Sequence, residues 1–219
     1  MMILKLEDIY YRYNKKSPFI LNGISYEFNK GTLYAIMGGS GSGKTTLISL
    51  IAALDKPTSG KIYYNGIDIS TFDSDEYRAK KVSVIFQNYN LLNNYTAIDN
   101  IATILNISGY KGNYISRATE LLNEVGIPEE KHNYIAHNLS GGEQQRIAIA
   151  RTIASNSEII LADEPTGNLD QANQDNIISI FRNLTQKYNK CVIIVTHSQS
   201  VADSADYLLQ ISAGRINEM

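Results

Sequence analysis

The pattern of the chain predicts an α/β fold, in which a parallel sheet is covered by helices on both faces and a helical block is inserted into it. Three observations carry this expectation. A short apolar run, a glycine-rich loop and an apolar helix follow one another between Thr32 and Ile51. Strand and helix patterns alternate again from residue 158 to residue 211. Between about residues 91 and 155 the apolar periodicity is helical.

Taken in order, residues 2–13 and 19–28 alternate as strands split by a turn at Asn14 to Pro18. Asn29-Lys30-Gly31 turns into the apolar run Thr32–Met37. Gly38-Gly39-Ser40-Gly41-Ser42-Gly43-Lys44-Thr45 then fits the G-x-x-x-x-G-K-[ST] pattern without exception. Its glycines let consecutive N–H groups turn inward on phosphates, and the following helix adds its positive end. That helix, 44–54, stops before Pro57, and Thr58-Ser59-Gly60 reads as a turn. Lys61–Tyr64 and Val82–Phe86 read as strands around a short helix at Ser74–Lys80. The helical block holds Ala97–Asn106, Tyr114–Val125 and Glu143–Ser155, separated by Gly109, Gly112, Gly126 and Pro128. The rest reads as strand 158–162, helix 171–189, strand 191–196, helix near 198–203, strand 206–211 and a turn at Ala213-Gly214. With no linker, repeat or low-complexity tract, one domain over 1–219 is expected, its helical subdomain at about 91–155.

Bulk properties narrow the classes. A net charge of −2 gives no electrostatic footprint for nucleic acid. The single cysteine, Cys191, opens the apolar run Val192-Ile193-Ile194-Val195, so it reads as a buried strand thiol in a reducing compartment. Acid at Glu7 and Asp8 comes too early for a secretory signal, and no apolar stretch reaches membrane-spanning length. The expectation is a chain soluble by itself.

Glu158-Ile159-Ile160-Leu161-Ala162-Asp163-Glu164-Pro165 is an apolar strand ending in two carboxylates. In an open α/β sheet ligands sit beyond the carboxyl ends of strands, which brings both acids to the phosphate loop. Asp163 is placed to hold Mg²⁺ together with the Thr45 hydroxyl, and Glu164 to polarise a water attacking the γ-phosphate. Lys44 and the metal spread the developing charge.

Further elements complete a family pattern. Gln87 follows the strand Val82–Phe86, and Leu139-Ser140-Gly141-Gly142-Glu143-Gln144-Gln145-Arg146 precedes the acidic strand. Asn168-Leu169-Asp170 follows it, and His197 closes Cys191–Thr196. In these motifs and their order the chain resembles the ATP-binding cassette (ABC) ATPases, motor subunits of membrane transporters, over nearly its whole length. The resemblance implies a P-loop NTPase fold: a RecA-like parallel core, an antiparallel β edge subdomain and the inserted helical subdomain. It implies ATP and Mg²⁺ as cofactors and an ATP-dependent homodimer. Gly38, Gly39, Ser40, Gly41, Ser42, Gly43, Lys44, Thr45 and Thr46 would bind ATP. Tyr13 would stack on adenine, with Tyr10 and Tyr11 as rivals. Thr45, Gln87 and Asp163 would meet the metal, and Glu164, His197, Gln87 and Lys44 would carry catalysis. Ser140, Gly141, Gly142 and Gln144 would face the ATP of the opposing protomer, with Asp170 at the dimer interface. His132 and His137 read as surface residues.

A finer likeness is to the group serving lipoprotein release, macrolide efflux and antimicrobial-peptide (bacteriocin) export or resistance. It rests on Leu54–Gly60, on Phe86–Leu92 and on Asp163–Asp170. Asp99 departs from the group's usual glutamate, which touches only local capping. Because the sequence runs only a few residues past Gly214-Arg215, the regulatory C-terminal domain of sugar-importer relatives is not expected. The resemblance implies a permease partner docking near Gln87 and the helical subdomain, a peripheral place on the cytoplasmic side of the cell membrane, and no direct binding of lipid or nucleic acid. Rival readings are a non-transport cassette such as a cluster-assembly ATPase, and a small P-loop kinase. The kinase would have no use for Ser140-Gly141-Gly142 or His197.

Overall fold

The computed structural model describes residues 1–167 and 169–219, so Asn168 of the Asn168-Leu169-Asp170 motif lies outside the described residues. The chain opens with the antiparallel pair β1 (Met2–Tyr11) and β2 (Leu21–Asn29), then β3 (Leu33–Met37) runs through the glycine loop into α1 (Lys44–Ile51). Next come β4 (Ser59–Tyr64), β5 (Ile67–Asp68), α2 (Ser74–Lys80) and β6 (Val82–Ile85). Three helices follow, α3 (Ala97–Ile107), α4 (Tyr114–Glu124) and α5 (Gly141–Ala154). The remainder alternates: β7 (Ile159–Asp163), α6 (Gln171–Gln186), β8 (Cys191–Val195), α7 (Gln199–Ser204), β9 (Tyr207–Ser212) and β10 (Arg215–Glu218).

These strands form two sheets. One is antiparallel in the order β2-β1-β4-β5; the other runs β10-β9-β3-β8-β7-β6 and is parallel except for the β9–β10 hairpin. Alternation within each buried strand divides the interior in two. Ile159, Leu161, Cys191, Ile193 and Val195 face a core shared with α1 and the antiparallel sheet. Ile160, Ala162, Val192 and Ile194 face the core shared with α3 to α6. Both faces are covered, which is why these strands read as unbroken apolar runs. Burial of Cys191 pushes its thiol well above the usual range.

Several expectations are corrected. Thr58-Ser59-Gly60 is no simple turn: Ser59 and Gly60 begin β4, with Ser59 opposite Tyr10. Gly60 holds φ at +89° against β1, where a Cβ would lie 2.2 Å from the Asp8 carbonyl oxygen, so this glycine serves a bulge. The turn at Ala213-Gly214 is followed by β10, because φ of 48° and 74° at these two residues makes a two-residue hairpin. His132 is buried, with Nε2 2.9 Å from the Ile127 carbonyl oxygen, so of this pair His137 alone lies at the surface. The last helix of the block starts at Gly141, two residues before Glu143.

Register sets the functional edge. Ile36 pairs with Val195, Asp163 with Val195, and Ile85 with Ala162. The residues just beyond β3, β8, β7 and β6 therefore emerge side by side: the glycine loop, His197, Glu164 and Gln87.

Candidate functional site

The loop from Gly38 to Thr45 owes its path to glycine. Gly41 and Gly43 hold φ at +75° and +103°, where a side chain is strained. Beside Gly39 and Gly41 there is open space, with no atom within 4 Å of where a Cβ would stand. Lys44 curls back beneath the loop and donates to the carbonyl oxygens of Gly38 (2.7 Å) and Gly39 (3.2 Å). A cavity of about 330 Å³ lies against it, lined by Tyr13, Ile20 and residues 41–46.

Three features test whether a triphosphate fits here. The Ser42 hydroxyl is buried without a partner. Helix α1 has no side-chain cap and no acid in its first turn, so its positive end is not quenched. Lys44 adds a cation to glycine amides left open to a ligand. The group fits. No cluster of three or more His, Cys, Asp or Glu side chains among the described residues forms a protein cage for a metal. Mg²⁺ is usually held by one or two carboxylates, waters and the substrate's phosphates instead. Thr45, Asp163 and Gln87 carry side-chain oxygens of that kind, at the exposed start of α1, the end of β7 and the exposed residues beyond β6.

Glu164 and His197 form a unit. The His197 backbone N–H donates to Glu164 Oε2 (3.1 Å), and the Glu164 N–H donates to the Val195 carbonyl oxygen (2.9 Å). The ring atom Nε2 of His197 lies 3.2 Å from Lys44 Nζ and 3.4 Å from Glu164 Oε1. An ammonium can only donate, so Nε2 accepts from Lys44 and the ring proton is assigned to Nδ1. Among the described residues Glu164 Oε1 is thereby left buried with no hydrogen-bond partner, an acceptor beside the loop.

Of the three tyrosines near the end of β1, Tyr11 is buried and bonded to Asp55, and Tyr10 packs edge-on against Phe19. Tyr13 is 70% exposed, lines the cavity and lies 3.4 Å from the Thr46 hydroxyl. Ile20, beside it, was missed; a lone apolar residue at a strand's start carries no sequence signal.

The serine-glycine-glycine element sits elsewhere. Ser140 caps α5: its hydroxyl donates to Glu143 Oε2 (2.9 Å) and accepts the Glu143 N–H (3.3 Å). Burial raises the Glu143 pKa, but Lys131 at 2.5 Å and the two Ser140 donors outweigh it and hold the carboxyl below its ordinary value. Gly141 and Gly142 leave room for neighbours. A Cβ would meet Tyr89 Oη at 3.1 Å at the first and Asn173 Oδ1 at 2.6 Å at the second. Gln144 donates to the Leu139 carbonyl oxygen (2.8 Å), and Asp170 caps α6 through the Asn173 N–H (2.9 Å). None of Ser140, Gly141, Gly142, Gln144 or Asp170 lines the loop cavity. The structure brings Lys44, Glu164 and His197 together at the strand ends, while Ser140 caps the N-terminus of α5.

A glycine loop at the end of a parallel strand, with an acid and a histidine on the neighbouring strand ends, defines an ATPase of the P-loop class. The ABC transporter family model matches residues 21–167, and the chain belongs to that family. It is 40% identical over 215 residues to the ABC transporter ATP-binding protein YclH of Bacillus subtilis, covering 98% of this chain and 95% of that one. It is also 40% identical over 214 residues to the macrolide export ATP-binding/permease protein MacB of Rhodopirellula baltica, covering 95% of this chain. For the MacB of Vibrio parahaemolyticus the identity is 38% over 221 residues, covering 98%. The match spans 31% and 34% of those two longer proteins. Among solved structures, the ATP-binding cassette MJ0796, dimeric in a post-hydrolysis state bound to ADP and Pi, superposes with a TM-score of 0.88. It is 34% identical, and 99% of this chain and 98% of that one are covered. The fold is thus that of the ABC cassette, and the chain is an ABC ATPase that binds ATP.

Proposed function

We propose that this ATPase drives export through a separate membrane permease, and that two copies close head to tail on two ATP molecules. The observation that carries the reading is the separation just described. Ser140 and Gly142 stand at the N-terminus of α5 and do not line their own chain's loop cavity, while space beside Gly39 and Gly41 is open. A second copy turned end to end supplies what each site lacks. The dimeric cassette among the structural neighbours supports this arrangement.

Within a site, residues 38–46 bind the phosphates and Tyr13 takes the adenine. Lys44 leaves its loop carbonyls to pair with phosphate oxygens. Mg²⁺, when bound, neutralises phosphate charge at Thr45, Asp163 and Gln87. Glu164 Oε1, free of other partners, accepts the proton of the attacking water, and His197 keeps that carboxylate in place through its backbone N–H. Asp170 and Gln144 belong to the surface that meets the second copy.

Export as the direction is supported by the macrolide export proteins, in which a cassette of this kind and a permease share one name. No helix among the described residues is long and apolar enough to cross a membrane. On this reading the permease is a separate chain, docking near Gln87 and the helices α3 to α5. In this reading the subunit works at the cytoplasmic face of the membrane, with a peptide, lipoprotein or drug-like cargo.

Mixing two inactive variants tests the composite site. Lys44→Ala spoils a loop and Ser140→Arg spoils a signature, so each homodimer is dead at both sites. In a mixed dimer one site is intact. Random pairing in a two-fold dimer should restore roughly a quarter of wild-type turnover. A mixture as inactive as its components contradicts the head-to-tail arrangement.

A further inference from the structure

Tyr13 lines the loop cavity but is itself 70% exposed, with its hydroxyl 3.4 Å from that of Thr46. A ring so placed is a poor platform unless something fixes its rotamer, because ordering a free side chain on binding weakens affinity. Tyr11 is the brace. The two rings meet edge to face, with centroids 5.4 Å apart and planes at 85°. Tyr11 is buried, and its hydroxyl donates to the Asp55 carboxylate. That hydrogen bond, and then burial, push the Tyr11 pKa up to about 12, so the hydroxyl remains a donor at neutral pH. Asp55 in turn is fixed to the end of α1. Ala53 takes φ of 52°, and the Leu54 N–H returns to the Ser49 carbonyl oxygen (2.9 Å). The same segment grips β1 twice more. The Thr58 N–H donates to the Tyr10 carbonyl oxygen (2.8 Å), and the Arg12 N–H donates to the Thr58 hydroxyl (3.1 Å).

Resting on the reading above that Tyr13 takes the adenine, we propose that Asp55 and Tyr11 are positioning residues for nucleotide binding. Asp55 fixes the Tyr11 ring, and Tyr11 fixes Tyr13 for the base. Neither Asp55 nor Tyr11 lines the loop cavity, so both act through Tyr13. The eight-residue helix α1 then sets both ends of the bound molecule. Lys44 at its start meets the phosphates, and Asp55 just past its end orients the ring that meets the base. A tie that served only the fold would act whether or not residue 13 were aromatic.

A double-mutant cycle on the purified chain separates the two roles. Mg-ATP affinity is measured by calorimetry for Tyr11→Phe and Asp55→Ala, each alone and on a Tyr13→Ala background. Each change alone should weaken binding about fivefold, in keeping with the worth of an oriented aromatic pair. Asp55→Asn, which keeps an acceptor for the Tyr11 hydroxyl, should recover part of that loss. On Tyr13→Ala neither change should weaken binding further. Asp55 is exposed, so its replacement leaves the core intact. The chain has no tryptophan, and Tyr13→Trp therefore supplies a single indole. Without nucleotide, its time-resolved fluorescence anisotropy should decay faster locally once Asp55→Ala is added. Losses that persist undiminished on Tyr13→Ala, or an unchanged anisotropy decay, overturn the inference. So does wild-type affinity in both Tyr11→Phe and Asp55→Ala while Tyr13→Ala binds poorly, which leaves the adenine reading standing. If Tyr13→Ala itself binds ATP as the wild type does, that reading falls and the inference with it.

Discussion

Glu164 holds φ at 48°, a left-handed conformation that costs a non-glycine residue about 1–3 kcal/mol. Its surroundings enforce it: the backbone N–H is tied to Val195 at 2.9 Å, and one carboxylate oxygen to the His197 N–H at 3.1 Å. The outcome is a second oxygen, buried and free, at the edge where the loop opens. Replacing Glu164 by Gln keeps size and backbone but removes the basic oxygen. Steady-state turnover should fall by about 10²–10⁴-fold, the usual contribution of a general base, while nucleotide affinity stays near wild type. A variant turning over at the wild-type rate would show that Glu164 is not the base. The Lys44–His197 contact was invisible in the sequence. The two residues lie 153 positions apart and meet because β3 and β8 are neighbours, a strand order that no local pattern encodes.

Between elements, Glu158 acts as a tie. It stands at the start of β7, pairs with Lys30 at 2.5 Å in the turn before β3, and accepts from the Tyr64 hydroxyl at the end of β4, so it joins the two sheets. Burial raises its pKa, but Lys30 and Tyr64 outweigh that and leave it below the ordinary 4.5. A carboxyl lowered by folding stabilises fully above its unfolded value, and loses that contribution as pH falls through the folded one. Glu158→Gln should therefore cost about 1 kcal/mol at pH 7, a modest figure because solvent screens a carboxylate that is 37% exposed. The gap between mutant and wild type in thermal unfolding should close as the buffer is taken below pH 4.5. A gap constant across that range would assign the effect to packing. At this scale legibility followed burial. The strands β7 and β8 were plain because both faces are covered, and Thr96 with Asp99 caps α3 as a box although the acid is the shorter one. Strands β5 and β10 went unread because two residues, or four with one isoleucine, hold no alternation; pairing with β4 and β9 makes them strands. His132 misled because polarity argues for the surface, whereas the Ile127 carbonyl oxygen satisfies its ring nitrogen inside.

At the scale of the whole molecule, the proposed arrangement is a site that one copy cannot complete. The loop, the acid and the histidine converge at the strand ends, while Ser140 and Gly142 stand at the N-terminus of a separate helix and do not line the loop cavity. The most direct measurement is the solution mass of Glu164→Gln by light scattering with and without Mg-ATP. The blocked enzyme should be a 24.4 kDa monomer without nucleotide and twice that mass with it. Adding Ser140→Arg to the same chain should return it to a monomer that still binds ATP. A Glu164→Gln chain that stays monomeric with nucleotide bound, or a dimer indifferent to Ser140→Arg, would contradict the account.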